Sequence, residues 1–276
     1  MKPLSKAYTA LIFVILYAPI AVMVLFSFNS INSTGVFAGF STYWYRELFR
    51  DGATLAALKN TLVLAVTSSL IATIIGTVAA VGIFKLKSRA AKSAIMTVTN
   101  IPMMNPDIVT GISMMLLFVF VCVRLAGAAS LSFVTVLIAH ITFNLPYVIL
   151  SVMPKLRQMD KHLTEAALDL GCTPMQAFWK VELPSIMPGV VSGLIMAFTL
   201  SLDDFVISYF TTGSGFETLP IRIYSMTKKR VTPDMYALST LIFIAVLTLL
   251  ILSNLAGSKS EKKSRTKAPA HMEVTK

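Results

Sequence analysis

The sequence predicts an all-α membrane protein built on six transmembrane helices, and three observations carry that reading. Of 276 residues, 55% are hydrophobic and only 13% charged, roughly half the charged share of a soluble globule. Mean hydropathy is +0.75. Apolar runs long enough to cross a bilayer occur at residues 8–28, 62–84, 94–123, 131–153, 187–210 and 235–256. The first run follows Lys2 and Lys6, as a signal peptide would, but it is too long for a signal core and has no small-x-small cleavage site, so it is expected to stay as a span. The second is uninterrupted. The third is broken at Asn105-Pro106, directly before Asp107. That reads as a helix restarting with Asn105 as cap and Pro106 at the first position, a break tolerated at depth where it is buried in protein or lines a cavity. The fourth carries His140, Thr142 and Asn144, and the fifth carries Asp203-Asp204. Residues 1–256 form one membrane domain, with a charged loop at 154–186, and residues 257–276 form a basic, disordered tail.

The net charge of +11 does not point to nucleic acid, because of where the charges sit. Sixteen of the 24 Lys and Arg fall before the first run, between the second and third, in the 154–186 loop or in the tail. By the positive-inside rule these segments, and both termini, are cytoplasmic. The basic tail then lies near anionic lipid. Cys122 and Cys172 sit on different elements and suggest neither a disulfide nor a metal site. The sequence has no Gly-Lys-Ser/Thr, so no nucleotide-binding P-loop is expected. No internal repeat, nucleophile–base pair or metal-ligand spacing emerges, so no catalytic residue, cofactor or metal is expected.

Within the loop, Leu163, Ala166, Ala167 and Leu170 make one apolar stripe at helical spacing. Lys161, His162, Glu165 and Asp169 cover the other side. Asp160 suits the N-cap and Gly171 the left-handed C-terminal turn. Such a helix, lying between membrane spans, is expected to dock a partner outside the bilayer. Glu165-Ala166-Ala167, three residues, Gly171, nine residues, then Val181-Glu182-Leu183-Pro184 resembles the cytoplasmic E-A-A loop of permeases from binding-protein-dependent ABC importers. Val181 stands where isoleucine is commoner. The resemblance implies a type I importer permease (MetI-like) bundle. Glu165, Ala166, Ala167, Gly171, Leu183 and Pro184 then lie in the contact that couples the permease to an ATPase.

Ten of the thirteen acidic residues fall in loops or the tail; the other three are Asp107, Asp203 and Asp204. With no Lys or Arg inside the apolar runs to neutralise them, each costs about 2.5–3.5 kcal/mol unless it faces a polar cavity or a partner. Counted along straight helices, Asp107 lies about 20 Å from Ala94 and Asp203 about 24 Å from Met187, both in the middle-to-outer part of the bilayer. Adjacent on a helix, Asp203 and Asp204 point about 100° apart, so one faces a pathway and the other pairs within the bundle. His140, Thr142 and Asn144 are candidates for that pairing. Tyr209 and Tyr224 flank the outer mouth, where aromatic faces suit ammonium groups. Tyr43, Trp44 and Tyr45 read as an interfacial belt. An acidic interior in a basic chain predicts a cationic cargo.

Asn105-Pro106-Asp107-Ile108-Val109, the 140–146 and 198–204 strings, and Leu219-Pro220-Ile221-Arg222-Ile223-Tyr224-Ser225-Met226 further resemble the spermidine/putrescine importer permeases. That resemblance implies a second permease subunit in a heterodimer, two ATPase subunits, an extracytoplasmic polyamine-binding protein, and a bacterial inner (plasma) membrane location. The same fold could instead carry iron, a vitamin or an anion; the carboxylates disfavour an anion. A proton-coupled carrier would use the carboxylates as a relay, but it has no need of a docking helix.

Overall fold

The computed structural model describes residues 3–33, 35–125, 127, 130–213, 215–229 and 232–265. In chain order its helices are α1 (Pro3–Phe26), α2 (Tyr43–Leu48), α3 (Gly52–Lys85), α4 (Arg89–Met104), α5 (Asp107–Phe118), α6 (Phe133–Gln158), α7 (Lys161–Asp169), α8 (Pro174–Ala177), α9 (Leu183–Asp203), α10 (Val206–Thr211), α11 (Leu219–Lys229) and α12 (Pro233–Arg265). π-helical turns extend α5 over Val119–Leu125 and join α8 to α9 over Phe178–Glu182. The chain divides into two compact units, Met1–Lys59 with Glu217–Leu249, and Asn60–Phe216 with Leu250–Lys276. Helical backbone runs past Gly257 to Arg265, into the segment expected to be disordered, and residues 266–276 lie outside the described ones.

Four described helices are long and apolar enough to cross a membrane: Lys6–Phe26, Gly52–Lys85, Phe133–Gln158 and Pro174–Asp203. These correspond to the first, second, fourth and fifth expected spans. The third expected span is two helices meeting at 103°, Arg89–Met104 and Asp107–Cys122. The break falls at the expected place, but Asn105 is the C-cap of α4 and Pro106 the N-cap of α5, which leaves Asp107 as the first residue of α5. A bend this sharp invalidates counting the depth of Asp107 along one straight rod from Ala94. The sixth run lies in α12, where the described apolar stretch is Pro233–Thr248.

In the first unit, Leu48, Ala57, Leu219 and Leu238 form a small core. Arg222 reaches Asp51 at 3.2 Å and Glu217 at 3.9 Å. The Thr54 hydroxyl and the Ala53 N–H donate to Asp51, and with Arg222 they hold its carboxyl below the usual range against the opposing effect of burial. The expected aromatic belt is partly a tie: the Trp44 indole donates to the Asn29 carbonyl at 2.8 Å, and the Tyr45 hydroxyl meets Ser27 Oγ at 2.6 Å. Tyr43 remains exposed.

In the second unit, α3, α6 and α9 pack around Ala72, Val81, Val148, Val152, Leu156 and Ile186. Missing side chains allow this close approach, as in membrane helix pairs generally. A Cβ at Gly76 would come within 2.7 Å of Val148, and one at Gly189 within 2.9 Å of the Ser151 carbonyl. Gly189→Val is therefore expected to destabilise the bundle by about 1–3 kcal/mol through overpacking. Thermal unfolding of the detergent-solubilised protein, read beside the exposed-site control Ser185→Val, would measure the effect.

Candidate functional site

Two clusters, both in the second unit, contain most of the residues singled out from the sequence. The first is the E-A-A loop. Asp160 caps α7 by accepting from the His162 N–H at 3.0 Å. At the other end Gly171 takes φ +85°. The Gly171 N–H then bonds to the Leu168 carbonyl and the Cys172 N–H to the Ala167 carbonyl, the paired bonds of a helix closed by a left-handed glycine. The apolar stripe does not act as one face. Ala167 is buried against the loop's own return, whereas Leu163, Leu168 and Leu170 stay exposed. Glu165 is exposed too, its carboxylate 3.1 Å from His162 Nδ1. The outward surface of α7 is thus a mix of leucines and the acidic groups of Glu165 and Asp169.

The return segment explains the Leu183-Pro184 signature. Pro184 has no N–H to give to the preceding turn, and its ring would crowd the carbonyl four residues back. The backbone answers with the π-helical turn Phe178–Glu182, which takes up an extra residue just before α9 begins. Leu183 and Phe178 pack onto the core around Leu156 and Ile186, while Pro184 is exposed.

The second cluster surrounds the carboxylates. α9 ends at Asp203, Asp204 turns extended (φ −63°, ψ 124°), and α10 begins at Val206. Asp203 and Asp204 therefore diverge because the helix breaks between them, rather than by a turn of one continuous helix. Asp204 accepts from the N–H groups of Ile207 at 3.2 Å and Ser208 at 2.7 Å, holding the first turn of α10. Its side chain is 9% exposed and lies 3.5 Å from the buried His140 Nε2, which also meets Ser208 Oγ at 2.9 Å. Asp203, one residue earlier, is exposed.

Three further polar groups extend this seam along α6. Asn144 donates to Ser201 at 2.7 Å, and Ser201 meets Ser68 of α3 at 3.0 Å. Asp107 is exposed at the start of α5, within electrostatic range of Tyr147 on α6. Tyr147 lies seven residues from His140 on α6, about 10 Å along the axis. α5 is held there by α10, with Gly111 against Phe210 and the Val206 carbonyl. The three carboxylates thus stand on elements that pack around α6: α9 and α10 directly, and α5 by way of α10. Sequence reading missed Tyr147, Ser201 and Ser208; Tyr147 was detectable as the next position on the His140–Asn144 stripe.

Of the two tyrosines, Tyr209 packs against Phe205 at 5.3 Å and Phe210 at 5.5 Å, beside the seam. Tyr224 belongs to the first unit, where Lys228 Nζ lies 4.6 Å over its ring. The chain's own lysine occupies that aromatic face. Among the described residues no group of three or more potential metal ligands forms.

Residues 72–265 match the family model described as "Binding-protein-dependent transport system inner membrane component". Among curated relatives, the putrescine transport system permease protein PotI of Escherichia coli (strain K12) is 41% identical over 85% of this chain and 83% of its own length. The spermidine/putrescine transport system permease protein PotC of Haemophilus influenzae is 37% identical over 93% and 97% respectively. Among solved structures, a bacterial ABC transporter involved in the import of the acidic polysaccharide alginate superposes with TM-score 0.67, at 16% identity, covering 94% of both chains. The inward-facing MetNI methionine ABC transporter gives 0.60 at 18% identity, covering 80% of this chain and 99% of that one. At such identities these structures speak for the fold alone.

Proposed function

The chain belongs to the family of binding-protein-dependent transport system inner membrane components, and from that premise we propose that it passes polyamines, spermidine or putrescine, across a bacterial inner membrane. It is a multi-pass permease subunit of an ABC importer, a transport component rather than an enzyme, working with a partner permease, a separate ATPase and a binding protein. In this reading the partner permease is a second, different chain. Two ATPase subunits dock on the loops of the pair, and Glu165, Ala166, Ala167, Gly171, Leu183 and Pro184 form this chain's share of that contact. The binding protein delivers a polyamine to a pathway bearing Asp107, Asp203 and Asp204, with Tyr209 toward its mouth.

The observation that carries the cargo assignment is the pair at the end of α9. Asp204 is tied to backbone N–H groups and His140, while its neighbour Asp203 is exposed beside it. Among the described residues no group of opposite charge pairs with Asp203, and an unpaired acid on an apolar span suits a cation that arrives from outside. Methylene-linked ammonium groups supply both the charge and an apolar body that tolerates this environment. The direct test is ATP hydrolysis by the reconstituted complex. Binding protein loaded with spermidine or putrescine should raise the rate several-fold, and loading with an anionic solute should not. Equal stimulation by an anionic load would overturn the assignment.

The orientation has its own test. Both termini and the E-A-A loop are placed on the cytoplasmic side, following the asymmetry of Lys and Arg. Cysteines introduced at positions 163 and 260 should react with a membrane-impermeant reagent only from inside, and those at 37 and 229 only from outside. Labelling of position 260 in intact cells would contradict the topology.

A further inference from the structure

We propose that the ion pair between Lys85 and Glu182 is a clasp that positions the E-A-A loop, and that energy transfer from the ATPase to the bundle depends on it. The proposal rests on reading that loop as the ATPase-docking element. Glu182 is the last residue of the π-helical turn Phe178–Glu182, directly before Leu183-Pro184. Its carboxylate is 3% exposed, and Lys85 Nζ lies 2.9 Å from Oε2. The same oxygen has no directed hydrogen bond. At 2.9 Å the contact with Lys85 is close enough for charge attraction but too bent to count as a directed bond, so charge carries it. A carboxylate this deep is costly unless paired, and nothing in the transport reading assigned so far explains an acid here.

The partner's position gives the pair its role. Lys85 closes α3 and is half exposed, where a cation also suits the carbonyl end of the helix. The end of α3 is braced separately: Lys92 donates to the Phe84 carbonyl at 3.1 Å and lies over its ring. α3 in turn packs through Ala72, Ala80, Val81 and Ile83 into the core it shares with α6 and α9. On the loop side, Ala167 and Ala177 are buried where α7, α8 and the π turn meet. A push on α7 therefore reaches the π turn first. A π turn carries one residue more than an α turn and can give it back by shifting register. The Lys85–Glu182 pair pins that pliable point to the stiff end of α3, so displacement is passed on rather than absorbed.

The experiment uses the complete importer in proteoliposomes, with ATP hydrolysis and labelled spermidine uptake measured on the same sample and normalised to assembled complex. Lys85→Met alone leaves a buried acid unpaired, so the informative variant is Lys85→Met combined with Glu182→Gln, which removes both charges and keeps side-chain size. This double variant should assemble like wild type and hydrolyse ATP, yet move about tenfold less spermidine per ATP. Lys85→Arg, which keeps the charge, should retain wild-type coupling. A double variant with wild-type uptake per ATP would overturn the proposal, as would losses that follow assembly yield in every variant, since both mark the pair as structural only. Glu165→Lys serves as the control for the underlying reading. If it and Gly171→Asp both keep full ATPase stimulation, the docking assignment fails and takes the clasp with it. If it loses stimulation while the double variant behaves as wild type, only the clasp is wrong.

Discussion

Glu165→Lys and Gly171→Asp should each abolish most of the ATPase stimulation that loaded binding protein produces, while leaving the permease in the membrane. The reasons differ. Glu165 is exposed on α7 and bonded to His162, which is exposed as well. Reversing its charge costs the fold little, because exposed pairs contribute under about 1 kcal/mol. It changes the surface offered to a partner. At Gly171 a new side chain meets nothing within 4 Å, but φ is +85°. An L-residue there pays for backbone conformation rather than for a clash, on the order of 1–2 kcal/mol. That strain is relieved by opening the paired bonds to the Leu168 and Ala167 carbonyls, and α7 would lose its fixed end. Wild-type stimulation in both variants would remove the loop from the coupling path. Normal membrane insertion with lost stimulation is the expected result.

The carboxylates should separate by role. Asp204→Asn removes the charge facing His140 and replaces one of two acceptor oxygens with an NH2 group. With the amide at the Oδ2 position, the Ser208 N–H loses its acceptor while the Ile207 N–H keeps one, and the first turn of α10 is weakened. Its expected signature is a lower yield of assembled complex, with unchanged apparent affinity in what survives. Asp203→Asn and Asp107→Asn alter exposed groups, and their signature should be weaker uptake at normal yield. One charge contact in a partly desolvated site is worth about 1.5–3 kcal/mol, or roughly ten- to a hundredfold in affinity. The loss should be larger for spermidine, with three charges, than for putrescine, with two. The readout is uptake against polyamine concentration, normalised to assembled complex. Normal transport of both polyamines by all three variants would mean that the acidic residues do not recognise cargo.

The parts legible in sequence were those set by local rules. The α7 boundaries follow from an Asp cap and a Gly stop, and the break before Asp107 follows from a proline that cannot continue a helix. The long spans followed from uninterrupted hydrophobicity. What could not be read was tertiary. Hydropathy sees the third run as one segment, because a 103° bend leaves composition unchanged. The break after Asp203 is stabilised by Asp204 bonding to residues 207 and 208, and no proline or glycine marks it. Ala167 looked equivalent to Leu163 and Leu170 on the helix stripe, and only the folded-back return segment buries it. The pairing of Lys85 with Glu182 joins residues far apart in the chain, and nothing local to either predicts it.

Proteoliposomes containing the full complex, with ATP enclosed and binding protein outside, should be exposed to labelled spermidine, putrescine, a neutral sugar and an anion. The expected result is accumulation of the two polyamines alone, dependent on both ATP and binding protein. Accumulation of the sugar or the anion with polyamines excluded, or polyamine entry that persists without ATP, would rule out ATP-driven polyamine import.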